Sequence, residues 1–320
     1  MAGQARDQPM RSPFEDGRAR AASAVLVLAV WAAVAAAQEA PVATARRMEC
    51  SLYTGWSYVY DSNIDHSEPG LDTFGGLGGV GGECHVGSSS SGTLDLEYDG
   101  VLRRYARTTV WNVPGHDLRV SLGGLFARHV IVGSTLEAVL NGSVEDRVLR
   151  DEYSATWQLG YRFTRSTRFQ LFAQYLLKRY PSPQSHSESD PRAGIQWLQR
   201  VGDLWSWTAS GRYENNQADS SRYHYRGPSY EFDLSNPLWT GSRIESTVRY
   251  RRRSFVTRLV HVGTGDVLRR DSDLVAATAW HQPFGHWEIV FSYRYEMFKS
   301  NDARKEFRES IGTMTLNRWW

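Results

Sequence analysis

The chain has 320 residues, 41% of them hydrophobic and 12% aromatic, with 12 Trp, 16 Tyr and a formal net charge of +2. A mean hydropathy of −0.48 excludes a helical membrane protein, and after the first forty residues or so no apolar run is long enough for a spanning helix. Near-neutral charge gives no sign of a polyanionic partner, so no nucleic acid is expected.

The N-terminus reads as an address. Basic "GRAR" (Gly17 to Arg20) runs into "AASAVLVLAVWAAVAAA" (Ala21 to Ala37), an alanine-rich apolar segment that ends in small residues a signal peptidase could cut. Residues 1–37 are therefore expected to be a cleaved signal peptide, with Met1 or Met10 as the start. Residues 38–320 then form one exported domain, with no linker or composition break inside it.

From there on the pattern is alternation with period two. "EYSATWQLGYRFT" places Tyr153, Ala155, Trp157, Leu159, Tyr161 and Phe163 on one face and Ser154, Thr156, Gln158 and Arg162 on the other. "WSWTASGRYE" sets Trp205, Trp207 and Tyr213 against Thr208, Arg212 and Glu214, and "WEIVFSYRYEMF" sets Trp287, Ile289, Phe291, Tyr293 and Tyr295 against Glu288, Ser292, Arg294 and Glu296. Such a sheet has an apolar and a polar surface. The apolar one packs on a second sheet in a secreted sandwich, or faces lipid around a closed barrel.

Strands are predicted around Trp56, Gly78, Tyr98, Leu122, Glu137, Trp157, Ala173, Gln196, Ala209, Tyr230, Val248, Ala277, Phe291 and Met314. "GSTLEAVLNG" is weak, and its loss would reduce fourteen strands to twelve, since bacterial single-chain barrels take even numbers. Connections alternate between short turns ("GSSSS", "TRST", "VGDL", "NPLWTGS", "QPFGH") and longer polar stretches such as "DSNIDHSEPG", "NGSVEDRVLRD", "PSPQSHSESDP" and "VTRLVHVGTGDVLRR". That parity favours an all-β, closed, antiparallel up-and-down transmembrane barrel whose two ends lie on the short-turn side. "RYHYRGPSYEFDL" changes parity at Gly227-Pro228, where a bulge is expected. The final strand, "SIGTMTLNRWW", ends on an aromatic residue; it resembles the C-terminal signal by which the outer-membrane assembly machinery recognises its clients, although Arg318 interrupts the apolar face.

On this reading Asp95, Glu97 and Asp99 point into the lumen from the third strand, and Arg243, Arg249, Arg251 and Arg253 from the eleventh. An acidic and a basic ladder on opposite walls would set up a transverse field; alternatively the charges pair and fill the interior. Arg162, Arg212, Glu288, Arg294 and Glu296 share the lumen side. Cys50 and Cys84, the only cysteines, flank the first long connection symmetrically and are candidates for a disulfide in an oxidising compartment.

No histidine pair has metal-ligand spacing and no cofactor motif is present; the glycine run "FGGLGGVGGECHVG" lacks the lysine and helix of a phosphate loop and suits sheet bending or packing against an inserted loop. His85, at a strand end, and His186, in a loop, lie near serines without a nucleophile-elbow motif, so a hydrolase is the weakest alternative.

"LYTGWSYVYDSNID", with Tyr60, Asp61, Ser62, Asn63 and Ile64, resembles the opening strand of Gram-negative outer-membrane barrels. These include barrel porins of exopolysaccharide loci and the barrel domain of surface lipoprotein assembly modifiers. The resemblance implies a porin-like protein of the cell outer membrane, a passive channel or export conduit whose partners are membrane lipid, the barrel assembly machinery and a small polar solute or exopolysaccharide. A plugged accessory barrel acting through its surface loops is the second reading.

Overall fold

A computed structural model describes residues 47–320 apart from 64–71, 89–91, 107–111, 127–128, 145–147, 181–185, 203–204, 264 and 303–304. The expected signal peptide lies outside the described residues. Fourteen strands follow one another: β1 (Arg47–Asp61), β2 (Thr73–Ser88), β3 (Gly92–Tyr105), β4 (Pro114–Phe126), β5 (Val130–Val144), β6 (Val148–Arg162), β7 (Thr167–Tyr180), β8 (His186–Val201), β9 (Trp205–Ala218), β10 (Tyr225–Pro237), β11 (Arg243–Val262), β12 (Gly265–Phe284), β13 (Trp287–Ser300) and β14 (Phe307–Trp319). Each pairs antiparallel with its neighbours in sequence, and β1 pairs with β14, so the sheet closes on itself. Every predicted strand centre falls within its own element. β5, the doubtful one, pairs along its length with both β4 and β6, which fixes fourteen rather than twelve.

Alternation determines which residues meet across the sheet. Trp157 lies opposite Ala173, Ala173 opposite Ala193, and Trp197 opposite Ala209 and Phe169, so one surface is a continuous apolar mosaic. On it Trp56, Tyr58, Trp157, Leu159, Tyr213, Tyr230, Val248 and Phe291 are all exposed. The other surface carries the charges, and many of these are buried. That is an inside-out arrangement for a water-soluble protein, and the one required when the outside is hydrocarbon.

Glycines on β2 act as recesses. Outward-facing Gly82 and Gly78 lie under Leu52 and Trp56, while lumen-facing Gly81 and Gly75 lie under Tyr53 and Tyr105. The recesses therefore receive side chains of adjacent strands, where the sequence suggested sheet bending or an inserted loop.

Three expectations need correction. The regions read as long loops between β5 and β6, β7 and β8, and β11 and β12 are mostly strand. β8 begins at His186, inside "PSPQSHSESDP", and β11 and β12 run to 20 residues each. Hairpins that continue beyond the membrane keep their ladder because the paired backbone loses nothing in water, and their polar side chains conceal the continuation. Second, Gly227-Pro228 is not a bulge: β10 keeps one register with β9 across it, from Tyr225 opposite Asn216 to Ser235 opposite Ser206. Tyr225 simply points inward and Tyr230 outward. The register shifts lie instead between Val139 and Gly142, where Asn141 has φ 51°, and between Ser254 and Leu259. Third, His186 is in a strand and only partly exposed, its ring stacking between Tyr180 and Tyr223 at centroid distances of 4.1 and 4.6 Å.

The motif at the end of β1 has a mechanical role at the closing seam. Asn63 N–H donates to the Asp61 carboxylate at 3.0 Å and its side-chain amide donates to Arg308 O at 3.2 Å; Ser62 exchanges hydrogen bonds with Ser310 at 3.0 and 2.8 Å. Asp61 is fully buried. The Asx turn thus pins the top of β1 to β14; Ile64 lies outside the described residues.

Gly227 faces the lumen on β10 hard against β11: an added Cβ would sit 1.8 Å from the Arg252 carbonyl oxygen. Gly227→Ala is expected to destabilise the folded barrel by about 1–3 kcal/mol or more, the range for overpacking, whereas Gly312→Ala, which would meet nothing within 4 Å, should not. Urea midpoints of the two variants in detergent, followed by tryptophan emission, check this.

Candidate functional site

The lumen wall is the concave polar surface of the molecule, and its two ends differ. The wall is a single layer, so a lumen side chain can be buried only by others reaching in from around the ring.

In the half nearer the longer connections such burial is extensive, with Asp190 0% exposed, Glu214 and Asp273 1%, Glu296 2% and Lys178 4%. Lys178 Nζ donates to Asp190 at 3.2 Å, to Asn216 Oδ1 at 3.1 Å and to the Tyr225 hydroxyl at 3.4 Å, with Glu188 at 3.6 Å. Arg192 donates to Asp190 through two nitrogens at 3.0 and 2.8 Å. Further round, Arg212 donates to Glu214 at 3.0 Å, Arg251 to Asp273 at 2.9 Å, and Arg269 through two nitrogens to Asp271, both at 2.8 Å; Arg294 is paired with Glu296. Buried charges persist in this way only when paired and hydrogen-bonded. A belt of ion pairs lines this end of the interior from β7 to β13.

The wall made by β2 to β5 is wetter. Side-chain exposure is 50% for Asp95, 44% for Glu97 and 41% for Arg119. Arg119 donates to Glu97 at 3.0 Å and to Glu137 at 2.6 Å, with Asp117 at 4.0 Å, while His85 Nδ1 meets Asp95 at 2.5 Å. Glu83 and Asp99 share this face by register, opposite Glu97 and Gly81 respectively. Carboxylates outnumber guanidiniums here, so this part of the wall is acidic.

Near the short turns, Arg243 donates to Glu245 at 2.9 Å and lies 3.6 Å from Glu288, and the His281 ring bridges the two carboxylates at 3.5 and 3.2 Å. Arg162 ends β6 on the lumen side of the same rim.

The acidic and basic ladders therefore stand on β3 and β11, on well-separated parts of the ring, but each meets counter-charges on its own wall: Arg119 for the acids, and Asp273 for Arg251 and, at 3.7 Å, Arg249. A transverse field between bare ladders is replaced by local pairing. Adjacent strands lie about 4.8 Å apart, far closer than opposite walls, so the neighbour wins. The reading from sequence missed Arg119, Glu137, Lys178, Asp190, Arg192, Asp271 and Asp273, although the same parity rule, applied to β4, β5, β7, β8 and β12, finds them.

Cys50 and Cys84 lie directly opposite each other, Cα atoms 4.1 Å apart, and form a disulfide on the outward face. Arg318, the exception in the last strand, stacks on Trp320 and Trp287 with its guanidinium 3.7 and 5.3 Å from the ring centroids, an interfacial cation–π arrangement. Among the described residues no group of three or more His, Cys, Asp and Glu could hold a metal, and no hydroxyl is hydrogen-bonded to His85.

No protein-family model matches the sequence, and none of the curated proteins does. Solved structures with similar outlines include a bacterial polysaccharide outer membrane secretin, at 12% identity and TM-score 0.48 over 84% of this chain and 98% of that one. An anion-selective porin from Comamonas acidovorans matches at 5% and 0.47 over 86% and 100%. The outer membrane channel DcaP of Acinetobacter baumannii matches at 7% and 0.48 over 86% and 97%. The barrel assignment itself rests on this chain's strand pairing, which gives a closed antiparallel barrel of fourteen strands.

Replacing Lys178 by Met would leave Glu188 buried without its lysine and Asp190 with Arg192 alone. A loss of about 3–5 kcal/mol is expected, as for breaking one partner out of a buried pair. Glu83→Gln on the wet wall should change stability by less than about 1 kcal/mol. Denaturant unfolding of both variants in the same detergent provides the comparison.

Proposed function

We propose that this barrel sits in the outer membrane and acts as a passive, non-enzymatic channel or export conduit for small polar solutes or a polymer. The supporting observation is the contrast across one layer of sheet: an apolar, aromatic exterior, and an inner wall on β2 to β5 whose charged side chains stay in contact with water. Passive transport needs a wet path and a field along it, not an acid–base pair. The belt of ion pairs narrows one end, so the open path runs along the acidic wall. Cations are preferred there.

In planar bilayers the protein should conduct, and under a salt gradient the reversal potential should favour the cation. Glu97→Gln combined with Asp117→Asn should bring that preference towards neutrality. A folded, heat-modifiable barrel that passes no current at any voltage would overturn the channel reading. It would favour the second one, a plugged accessory barrel acting through its surface connections, for which the buried belt from β7 to β13 is the supporting observation.

A further inference from the structure

The outward surface carries a feature that neither conduction nor folding uses. At the end bearing the longer connections, Arg226, Ser254 and Arg270 lie side by side across β10, β11 and β12, and in the next row Arg252, Ser272 and Lys299 lie side by side across β11, β12 and β13. Both rows face outward, because the rows below them continue as Tyr230, Tyr250 and Leu274, then Phe232, Val248, Ala276 and Tyr295. All four cations are exposed. No carboxylate pairs with any of them among the described residues, and between these rows and the short turns no acidic side chain points outward from β10 to β14. A groove of about 340 Å³ opens there, lined by Arg226, Arg252, Ser254 and Arg270 with Val256 and Leu268 beside them.

Four unpaired cations at the edge of an apolar belt are costly unless the neighbouring phase supplies anions. Guanidinium forks suit phosphate oxygens, and a serine hydroxyl between each pair adds a donor. Strands about 4.8 Å apart place the two cations of each row about 10 Å apart, close enough to converge on one headgroup. Chains hanging from that headgroup would lie along the tyrosine and aliphatic rows below.

We propose that this cradle binds the phosphate of an anionic lipid in the adjacent leaflet, a phosphorylated glycolipid headgroup seated between the two rows. It rests on the barrel spanning the membrane, and is independent of whether the lumen conducts.

The test is retention of lipid by the full barrel in nonionic detergent, read by native mass spectrometry, with phosphorylated lipid A, dephosphorylated lipid A and inorganic phosphate as probes. Phosphorylated lipid A should be retained and its dephosphorylated form lost. R252A/R270A should weaken retention on the order of tenfold or more, while R104A/R179A, which removes equal charge from another sector of the same rim, should not. Should the alanine variant fail to fold, R252Q/R270Q keeps side-chain length and repeats the comparison. Equal retention of the two lipids, or equal loss in both double variants, would overturn the proposal. So would displacement of the lipid by stoichiometric inorganic phosphate, which would mark a site for the free anion.

Discussion

Closure of β1 on β14 is the constraint from which the rest of the molecule follows. Hydrocarbon offers no hydrogen-bond partners, so a sheet that crosses it cannot keep an open edge, and every strand must have two neighbours. Nine residue pairs, from Tyr53 with Trp319 to Asp61 with Ile311, make the seam. Strands nearly the whole chain apart in sequence form it, the most expensive loop to close in chain entropy. Reinforcement gathers there: the Asp61–Asn63 turn clamps one end through Arg308 and Ser310, and Trp320 N–H donates to Leu52 O at the other. The Cys50–Cys84 disulfide holds β1 to its other neighbour.

A closed ring divides side chains between two media, and both sides bear the consequences. Outside, exposure of Trp157 or Phe291 is solvation by lipid, and the few outward cations lie only at the rims, where they can reach an anionic or aromatic partner. Inside, charge is tolerated in two ways. Where the lumen is wetter, along β2 to β5, carboxylates stay partly solvated around Arg119. Where side chains fill it, around Lys178, Asp190 and Asp273, each charge has an opposite one within hydrogen-bonding range. The wetter wall and the packed belt lie within one continuous polar surface.

Much of this was legible without coordinates because a strand has only two faces. Alternation in "WEIVFSYRYEMF" and "EYSATWQLGYRFT" places Arg294 and Arg162 on the lumen side with no knowledge of their neighbours. The symmetric placement of Cys50 and Cys84 about the first connection correctly implies that they meet. Less was legible where polarity stops being diagnostic. Residues 186 to 191 and the ends of β11 and β12 resemble loops because a hairpin standing in water needs no apolar side. Gly227-Pro228 resembles a bulge because one tyrosine points inward.

The sequence by itself determined where the strands centre and which residues share a face, since these depend only on period-two geometry; that there are fourteen strands rather than twelve was settled by the pairing of β5 with β4 and β6. Register was decided only by the tertiary structure. It sets Asp273 beside Arg251 and Arg119 between two glutamates, cancelling the field that two separate ladders would have made. It also lines up Arg226, Ser254 and Arg270 from three strands, a juxtaposition no single segment encodes, because which residues stand abreast depends on how every strand slides against the next as the ring closes.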